Sequence, residues 1–149
     1  MNALSTSPPT VGAVMHGPVV SVGLDDTLWT ALDTMFSRGL RHLVVVRGEA
    51  AVGVLVDRDL AAVWSMNPLG LKQRHAGEAL GPRQAFTPPD TDVVSAALRM
   101  QELGVDALVV VDPDDRPLGI VTDHDLLGVL GRMIGDHDGS VGAPRPDPE

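Results

Sequence analysis

Cysteine and tyrosine are absent from this 149-residue chain, and its other aromatic residues are two Trp and two Phe. The absence of cysteine excludes disulfides, thiolate metal sites and cysteine nucleophiles. Basic residues are also scarce, since 11 Lys and Arg face 20 Asp and Glu and give a net charge of −9. A chain this acidic lacks the positive field that attracts nucleic-acid phosphates or anionic lipid. We therefore predict no nucleic-acid partner.

Long apolar runs are missing as well. No run approaches the roughly 20 residues that a membrane-spanning helix needs, and residues 1–9 have neither the basic start nor the apolar stretch of a signal peptide. We therefore expect a cytoplasmic protein with no membrane partner. Residues 1–9 and 135–149 are rich in Pro, Gly, Ser and Asp and have few apolar anchors, so we predict that both ends are disordered.

What the sequence does contain is an internal repeat. A shift of 65 positions superimposes residues 43–46 on 108–111, and all four residues, Leu-Val-Val-Val, are identical. Further matches, with the shift rising to 66 after one inserted residue, are Met35 with Met100, Gly39 with Gly104, Gly53 with Gly119, and Asp59 with Asp125. The insertion falls in a predicted turn, where extra residues are tolerated. The chain is therefore a tandem duplication.

Each copy predicts the same order of elements: strand, helix, strand, strand, helix. The spacing of apolar residues in 28–36 and 93–100 is that of an amphipathic helix. The continuous apolar runs that follow, with their β-branched residues, indicate buried strands. The opening strands are expected at 19–22 and 84–87, the hairpin strands at 43–46 with 52–56 and at 108–111 with 118–122, and the closing helices from near Asp59 and Asp125.

Helix ends are predicted from residue type. Asp25 or Asp26 is the candidate N-cap of the first amphipathic helix and Asp90 that of its counterpart. Gly39 and Gly104 suit the left-handed residue that follows a helix.

The expected fold class is α/β (α+β), with two pseudo-symmetric βαββα repeats. Copies of about 55 residues are marginal alone, so we expect them to pack face to face through their sheets around a shared core. Repeat 1 is placed at 10–67, a linker at 68–82 and repeat 2 at 76–134. A short helical turn at 10–15 and another at 76–80 would lead into the repeats.

The candidate site lies where the second hairpin strand of each copy runs into a helix. Such a junction presents free backbone N–H groups and the positive end of the helix dipole to an anion. Asp125, one turn into the helix, could accept hydrogen bonds from a vicinal diol such as a ribose. Thr122 could bond to the same ligand, and His124 and Arg58 would supply positive or polarisable groups beside the anion.

A structural role for the same residues stays open. Thr122 and Asp125 also form the pattern of a capping box, with Asp in place of the usual Glu, and Asp57 would be a plain N-cap of its helix. Capping does not explain why both aspartates recur in the two copies. Neither interpretation is excluded at this point.

The ordered set of motifs in residues 10–15, 18–22, 35–46 and 54–60, found again in the second copy, resembles the cystathionine β-synthase (CBS) domain. CBS domains occur in tandem pairs called Bateman modules, and the resemblance covers about residues 10–134. It implies a regulatory rather than a catalytic protein that binds an adenosyl ligand in clefts between the copies. AMP is the expected ligand, with ADP, ATP or S-adenosylmethionine as alternatives, and no catalytic cofactor or metal is expected.

The family's ribose and phosphate motif is Gly, two hydrophobic residues, Ser or Thr, two variable residues and Asp. Copy two satisfies this motif, whereas copy one has Val56 in the place of the hydroxyl. The resemblance implies a repeat 2 site formed by Ala85, Phe86, Val105 and Ala107 around adenine, with Ile120, Thr122, His124 and Asp125. The degraded repeat 1 site would comprise Val20, Arg58 and Asp59.

Two features limit the ligand and the role. Copy two has Asp106 and Ala107 where copy one has Arg41 and His42, which leaves fewer cations for a polyphosphate and favours AMP over ATP. No nucleophile with a base and an orienting partner is recognisable, so we expect no enzyme activity.

The predicted protein is a stand-alone homodimeric module whose ligand changes its affinity for an unknown protein partner. The alternative is a structural dimerisation or interaction module with vestigial clefts and no ligand.

Overall fold

The computed structural model describes residues 7–17, 19–80 and 85–137, which form two similar halves. The elements of the first half are α1 (Val11–Val14), β1 (Ser21–Gly23), α2 (Leu28–Arg38), β2 (His42–Arg47), β3 (Ala50–Val56) and α3 (Asp57–Met66). Those of the second are α4 (Gly70–Gln73), a 3₁₀ turn (Ala76–Ala79), β4 (Phe86–Thr87), α5 (Val93–Leu103), β5 (Ala107–Val111), β6 (Pro117–Thr122) and α6 (Asp123–His137). The predicted βαββα order is confirmed in both copies.

Several bounds differ from those predicted. The opening strands are shorter and begin at Ser21 and Phe86, and Gln84 lies outside the described residues. Helices α3 and α6 begin two residues earlier than expected. Part of the predicted linker is helical, and α6 continues three residues into the tail that was expected to be disordered. Residues 1–6 and 138–149, also predicted to be disordered, lie outside the described residues.

The two amphipathic helices are capped by other residues than predicted. Thr27 accepts the backbone N–H three residues later in α2, and Asp92 does the same in α5. The prediction of Asp25, Asp26 or Asp90 is therefore wrong. Asp26 accepts instead from the backbone N–H of the residue three positions before it, at 2.7 Å, and so stabilises the turn that precedes the helix.

The Asp92 cap depends on the charge of its carboxylate. Hydrogen bonds from the backbone and the side chain of Ser95 lower the pKa of the Asp92 carboxyl below its usual value of 3.8. A lowered pKa stabilises the folded state at pH values above the pKa of the free carboxyl. The stabilisation is lost as the pH falls through the folded-state pKa, so acid weakens the start of α5.

The helix C-termini end as predicted. Gly39 and Gly104 follow α2 and α5 with φ values of 64° and 67°, a conformation that glycine adopts without a Cβ clash.

Each copy folds its three strands into one sheet, in the order β1-β2-β3 and β4-β5-β6. The first pair in each sheet is parallel and the hairpin pair is antiparallel. Both hairpins contain a register shift at the same repeat position, between Val45 and Val46 and between Val110 and Val111. The duplication therefore extends to the irregularities of the strands.

The sheets pack against each other through their inner faces, as predicted. Apolar side chains from both sheets form one buried cluster, which contains Val44 and Ala51 from the first and Val109 and Val111 from the second. Each sheet also forms a cluster with the helices packed on its other face, and these include residues from the other half of the chain. The shared cluster joins the copies into one core.

The lead-in segments are exchanged between the copies. Val11 of α1 is buried in the core of repeat 2 and donates its backbone N–H to Thr91 at 2.7 Å. Ala76 of the 3₁₀ turn is buried in the core of repeat 1 and donates to Asp26, also at 2.7 Å. These contacts are equivalent under the repeat. Each core is therefore completed by the segment that precedes the other copy.

Gly119 allows the lead-in of repeat 1 to approach β6. His16 and Ile120 exchange two backbone hydrogen bonds at this point. A Cβ added at Gly119 would lie 2.6 Å from the Met15 sulfur and 2.8 Å from the backbone oxygen of His16. The motif glycine is thus required for the exchanged packing, whether or not a ligand binds.

We predict that Gly119→Ala destabilises the protein by about 1–3 kcal/mol, because the added methyl group has no room beside a backbone oxygen. Gly131→Ala is the matched control. Nothing lies within 4 Å of a Cβ at this position inside α6, so alanine should stabilise the helix by about 0.5–1 kcal/mol. The free energies of unfolding come from urea denaturation. Equal effects of the two substitutions would contradict the steric argument.

Candidate functional site

The candidate site contains the two junctions at which a hairpin strand runs directly into a helix. At these junctions the backbone N–H of Asp57 donates to the carbonyl of Arg41, and that of Asp123 donates to the carbonyl of Asp106, both at 3.0 Å. Arg41 and Asp106 occupy equivalent positions in the two copies. The junctions therefore have matching backbones but side chains of opposite charge.

A cleft of about 1540 Å³ lies at these junctions and is lined by residues from both copies. It brings together five of the predicted site residues, namely Val20, Arg58, Ile120, Thr122 and His124. His16, Arg41, His42 and Asp106 line the same cleft. The cleft continues between α2 and α3 of repeat 1, where Trp29 and Trp64 flank it.

The other predicted site residues do not line this cleft. Ala85 and Ala107 are buried, Val105 packs against the core of repeat 2 and Phe86 packs against the cluster between the sheets. Their assignment to an adenine pocket stays a prediction. Asp59 is exposed on α3 and is also outside the lining.

Asp125 forms the capping box that its spacing from Thr122 predicts. One carboxylate oxygen, Oδ2, accepts from the backbone N–H of Thr122 at 2.8 Å and from its hydroxyl at 3.0 Å. The Thr122 hydroxyl oxygen in turn accepts from the backbone N–H of Asp125 at 3.3 Å. The Asp125 side chain is only 7% exposed. Asp125 itself is not among the residues that line the cleft, but its partner Thr122 is.

The second oxygen of this carboxylate, Oδ1, contacts Nε2 of His16. His16 belongs to the exchanged lead-in, and its side chain is otherwise largely exposed. It was not among the predicted site residues, because nothing in the order of the repeats shows that the lead-in of copy one lies on copy two. A diol that binds Oδ1 has to replace the imidazole.

The prediction that Asp57 is the N-cap of α3 is wrong. Asp57 is the first helical residue, and Val56 at the N-cap position has no side chain that can cap. The Asp57 carboxylate accepts from the N–H of Arg58, and that of Asp123 accepts from the N–H of His124, both at 2.8 Å. At these helix starts, where free N–H groups were expected, the N–H groups of Arg58 and His124 already have partners.

Asp106 connects the two copies across the cleft. One of its oxygens lies 3.3 Å from His42 Nε2 and the other lies 3.6 Å from an Arg58 terminal nitrogen. Arg41 also faces an acidic group, since its Nε lies 3.7 Å from the Asp57 carboxylate. Both arginines that line the cleft therefore have carboxylate partners. Only the difference in charge between Arg41 and Asp106 was visible in the sequence.

Within the described ranges, no three His, Asp or Glu side chains are grouped so that they could bind a metal ion. None of the described helices combines the length and the apolar character needed to cross a membrane.

The family model of the CBS domain matches residues 11–65 and 83–132, which is more than half of the chain. The chain belongs to the CBS domain family. The two matched segments correspond to the two halves of the fold, so the molecule is a CBS domain pair.

Among related sequences, the matching region is either nearly the whole protein or a small part of a longer one. The chain is 28% identical to a CBS domain-containing protein of Dictyostelium discoideum over 134 residues, which are 83% of this chain and 92% of that protein. It is 30% identical over 122 residues to a homoserine O-acetyltransferase of Methanococcoides burtonii, with 81% of this chain and 24% of that protein covered. The chain thus spans about a quarter of the length of such relatives.

Three solved CBS domain structures share the fold. A CBS domain pair in complex with 5′-methylthioadenosine and S-adenosyl-L-methionine has a TM-score of 0.74 at 20% identity and covers 85% of this chain and 98% of its own. CBSX2 in complex with AMP has a TM-score of 0.71 at 23% identity, with coverages of 85% and 98%. The CBS domain of a bacterial CNNM/CorC family Mg²⁺ transporter in complex with ATP has a TM-score of 0.72 at 23% identity, with coverages of 83% and 87%.

We predict that Thr122→Val destabilises the pair by about 1 kcal/mol, because the hydroxyl group of the capping box is lost while the side-chain volume is nearly kept. Thr122→Ser retains the hydroxyl and should change stability much less. Thermal unfolding of the three proteins measures the difference. If the Thr122→Val protein were as stable as the wild type, the hydrogen bonds of the capping box would not contribute to the stability of the fold.

Proposed function

We propose that this CBS domain pair is a regulatory module that binds an adenosine-containing ligand between its repeats and thereby changes its affinity for a protein partner. The observation that carries the proposal is the buried carboxylate of Asp125 at a strand-to-helix junction, whose partners Thr122 and His16 both line the cleft between the repeats. Structural neighbours that contain AMP, ATP or S-adenosyl-L-methionine support this class of ligand.

In the proposed complex, the Asp125 carboxylate accepts hydrogen bonds from the two ribose hydroxyls. Thr122 remains its partner within the protein. The ligand displaces His16, a residue of the exchanged lead-in, from Oδ1. A ligand changes a protein's conformation only if it prefers one state over another. Displacement of His16 supplies such a preference, since it alters a contact between the lead-in of one copy and the helix of the other.

AMP is the proposed physiological ligand, because one phosphate group suits a cleft with few unpaired cations. The role is regulation and not catalysis. The competing function is that of an interaction module without a ligand, and one observation favours it: both oxygens of Asp125 already have partners in the protein. The binding experiment below separates the two functions.

We predict that Asp125→Asn weakens adenosine and AMP binding by about ten-fold or more, because a hydrogen bond from a hydroxyl to a buried carboxylate contributes about 1.5–3 kcal/mol. The asparagine oxygen can still accept from Thr122, so the fold is retained. Asp59→Asn is the matched control at the equivalent, exposed position of repeat 1 and should leave this binding unchanged.

Isothermal titration calorimetry with adenosine, AMP, ADP, ATP and S-adenosylmethionine measures these affinities. Failure of the wild-type protein to bind any of the five compounds would sink the sensor proposal and leave the interaction module. Equal losses in the two variants would show that Asp125 has no special role.

We also propose that the module is a homodimer that associates through its helices. Trp29 on α2 and Trp64 on α3 are 45% and 50% exposed, and their repeat equivalents Val94 and Leu130 are 53% and 51% exposed. Both copies therefore present apolar side chains at the same two helix positions, a pattern that favours burial in an interface. A second copy of the chain would cover both faces.

We predict that Trp64→Lys converts this dimer into monomers, because a charge would be buried in an apolar interface. Leu118→Lys, at an exposed strand position in β6 rather than on a helix, is the control and should not change the mass. Sedimentation equilibrium measures the mass against the 15.7 kDa of one chain. A wild-type protein that sediments as a monomer would refute the homodimer.

A further inference from the structure

Both arginines of the cleft lining and His42 belong to repeat 1, but Asp106 of repeat 2 contacts one of these arginines and His42. Asp106 lies 3.3 Å from His42 and 3.6 Å from Arg58, one carboxylate oxygen for each. His42 is mostly buried, whereas Asp106 is about one third exposed. The carboxylate therefore reaches the cleft surface at the place where a ligand anion would meet these two side chains.

The repeat shows that this arrangement comes from a single reversal of charge. The backbone of Asp106 makes the same hydrogen bond to its junction as the backbone of Arg41 makes to the other. The main chain is therefore equally placed in both copies, and only the side chains differ. Compared with an arginine at this position, Asp106 removes one cation from the cleft. It also pairs a second cation, Arg58, with a carboxylate.

We propose that Asp106 is the specificity-determining residue of the cleft and acts as an internal substitute for a ligand phosphate. By pairing with His42 and Arg58, it opposes each additional negative charge on the 5′ group of the ligand. Adenosine is unaffected, AMP is tolerated and ATP is disfavoured most. This inference rests on the proposed function and adds to it the charge class of the ligand.

The aspartates Asp57 and Asp123 at the two junctions also oppose a ligand with several negative charges. Arg41 faces the carboxylate of Asp57, and Asp123 lines the opposite junction. The two arginines of the lining are thus balanced by aspartates before a ligand arrives. A triphosphate would have to separate these pairs and would remain close to the displaced carboxylates, because Asp57 and Asp106 are attached to the cleft wall.

The test compares wild-type protein with Asp106→Asn, which removes the charge and nearly keeps the shape. We expect the affinity for adenosine to stay the same, the affinity for AMP to rise about two- to five-fold, as exposed ion pairs allow, and the affinity for ATP to rise more than that for AMP. Asp114→Asn, in the exposed hairpin turn, makes the same change in net charge far from the cleft and should alter none of the three.

A double variant tests the pairing itself. If Asp106 acts through Arg58, the gain in ATP affinity caused by Asp106→Asn should largely disappear when Arg58→Gln is also present. An unchanged ratio of ATP to adenosine affinity in Asp106→Asn would overturn the inference while the proposed function survived. Absence of adenosine binding in every variant would instead refute the proposed function.

Inorganic tripolyphosphate provides a readout that does not depend on adenosine recognition. In thermal unfolding, this anion should stabilise Asp106→Asn more than wild-type protein or Asp114→Asn. Equal shifts of the melting temperature in the three proteins would show that Asp106 does not control the anion affinity of the cleft, whatever happens with nucleosides.

Discussion

The reciprocal exchange of lead-in segments is the constraint on which the rest of this CBS domain pair depends. Val11 completes the core of repeat 2 and Ala76 completes that of repeat 1, so neither half has a closed core of its own. Together with the cluster between the sheets, this exchange fixes the two junctions relative to each other. It also brings His16 to Asp125. The cleft is therefore a product of the way in which the copies complete one another.

Much of this fold could be predicted because the duplication provides each pattern twice. Strand runs, helix stripes and the glycines at 39 and 104 recur in register, and the structure has the corresponding elements. N-caps were predicted less well, since several Asp and Thr residues precede each helix and residue type alone does not choose among them. The exchange of lead-ins could not be predicted at all, because the period of the repeat is the same whichever half a lead-in packs against.

In the candidate site, too, local contacts could be predicted from the sequence and long-range contacts could not. The hydrogen bonds between Thr122 and Asp125 are local, so their spacing predicted them. The contact of His16 with Asp125 and that of Asp106 with Arg58 join segments far apart in the chain, and no periodic pattern reports such contacts. The acidic first turns of α3 and α6 were visible in the sequence. Their effect on neighbouring N–H groups depends on side-chain direction, which only coordinates provide.

The exchanged segments also bear on how such a chain could arise. An ancestor with one repeat would carry a lead-in that cannot fold back onto its own core, if the present geometry is retained. It would have to swap that segment with a second molecule, as domain-swapped dimers do. Fusion of two genes would then join partners that were already interlocked, and the intervening peptide would convert a concentration-dependent assembly into a single polypeptide. The later divergence of Arg41 from Asp106 would need no change in the backbone.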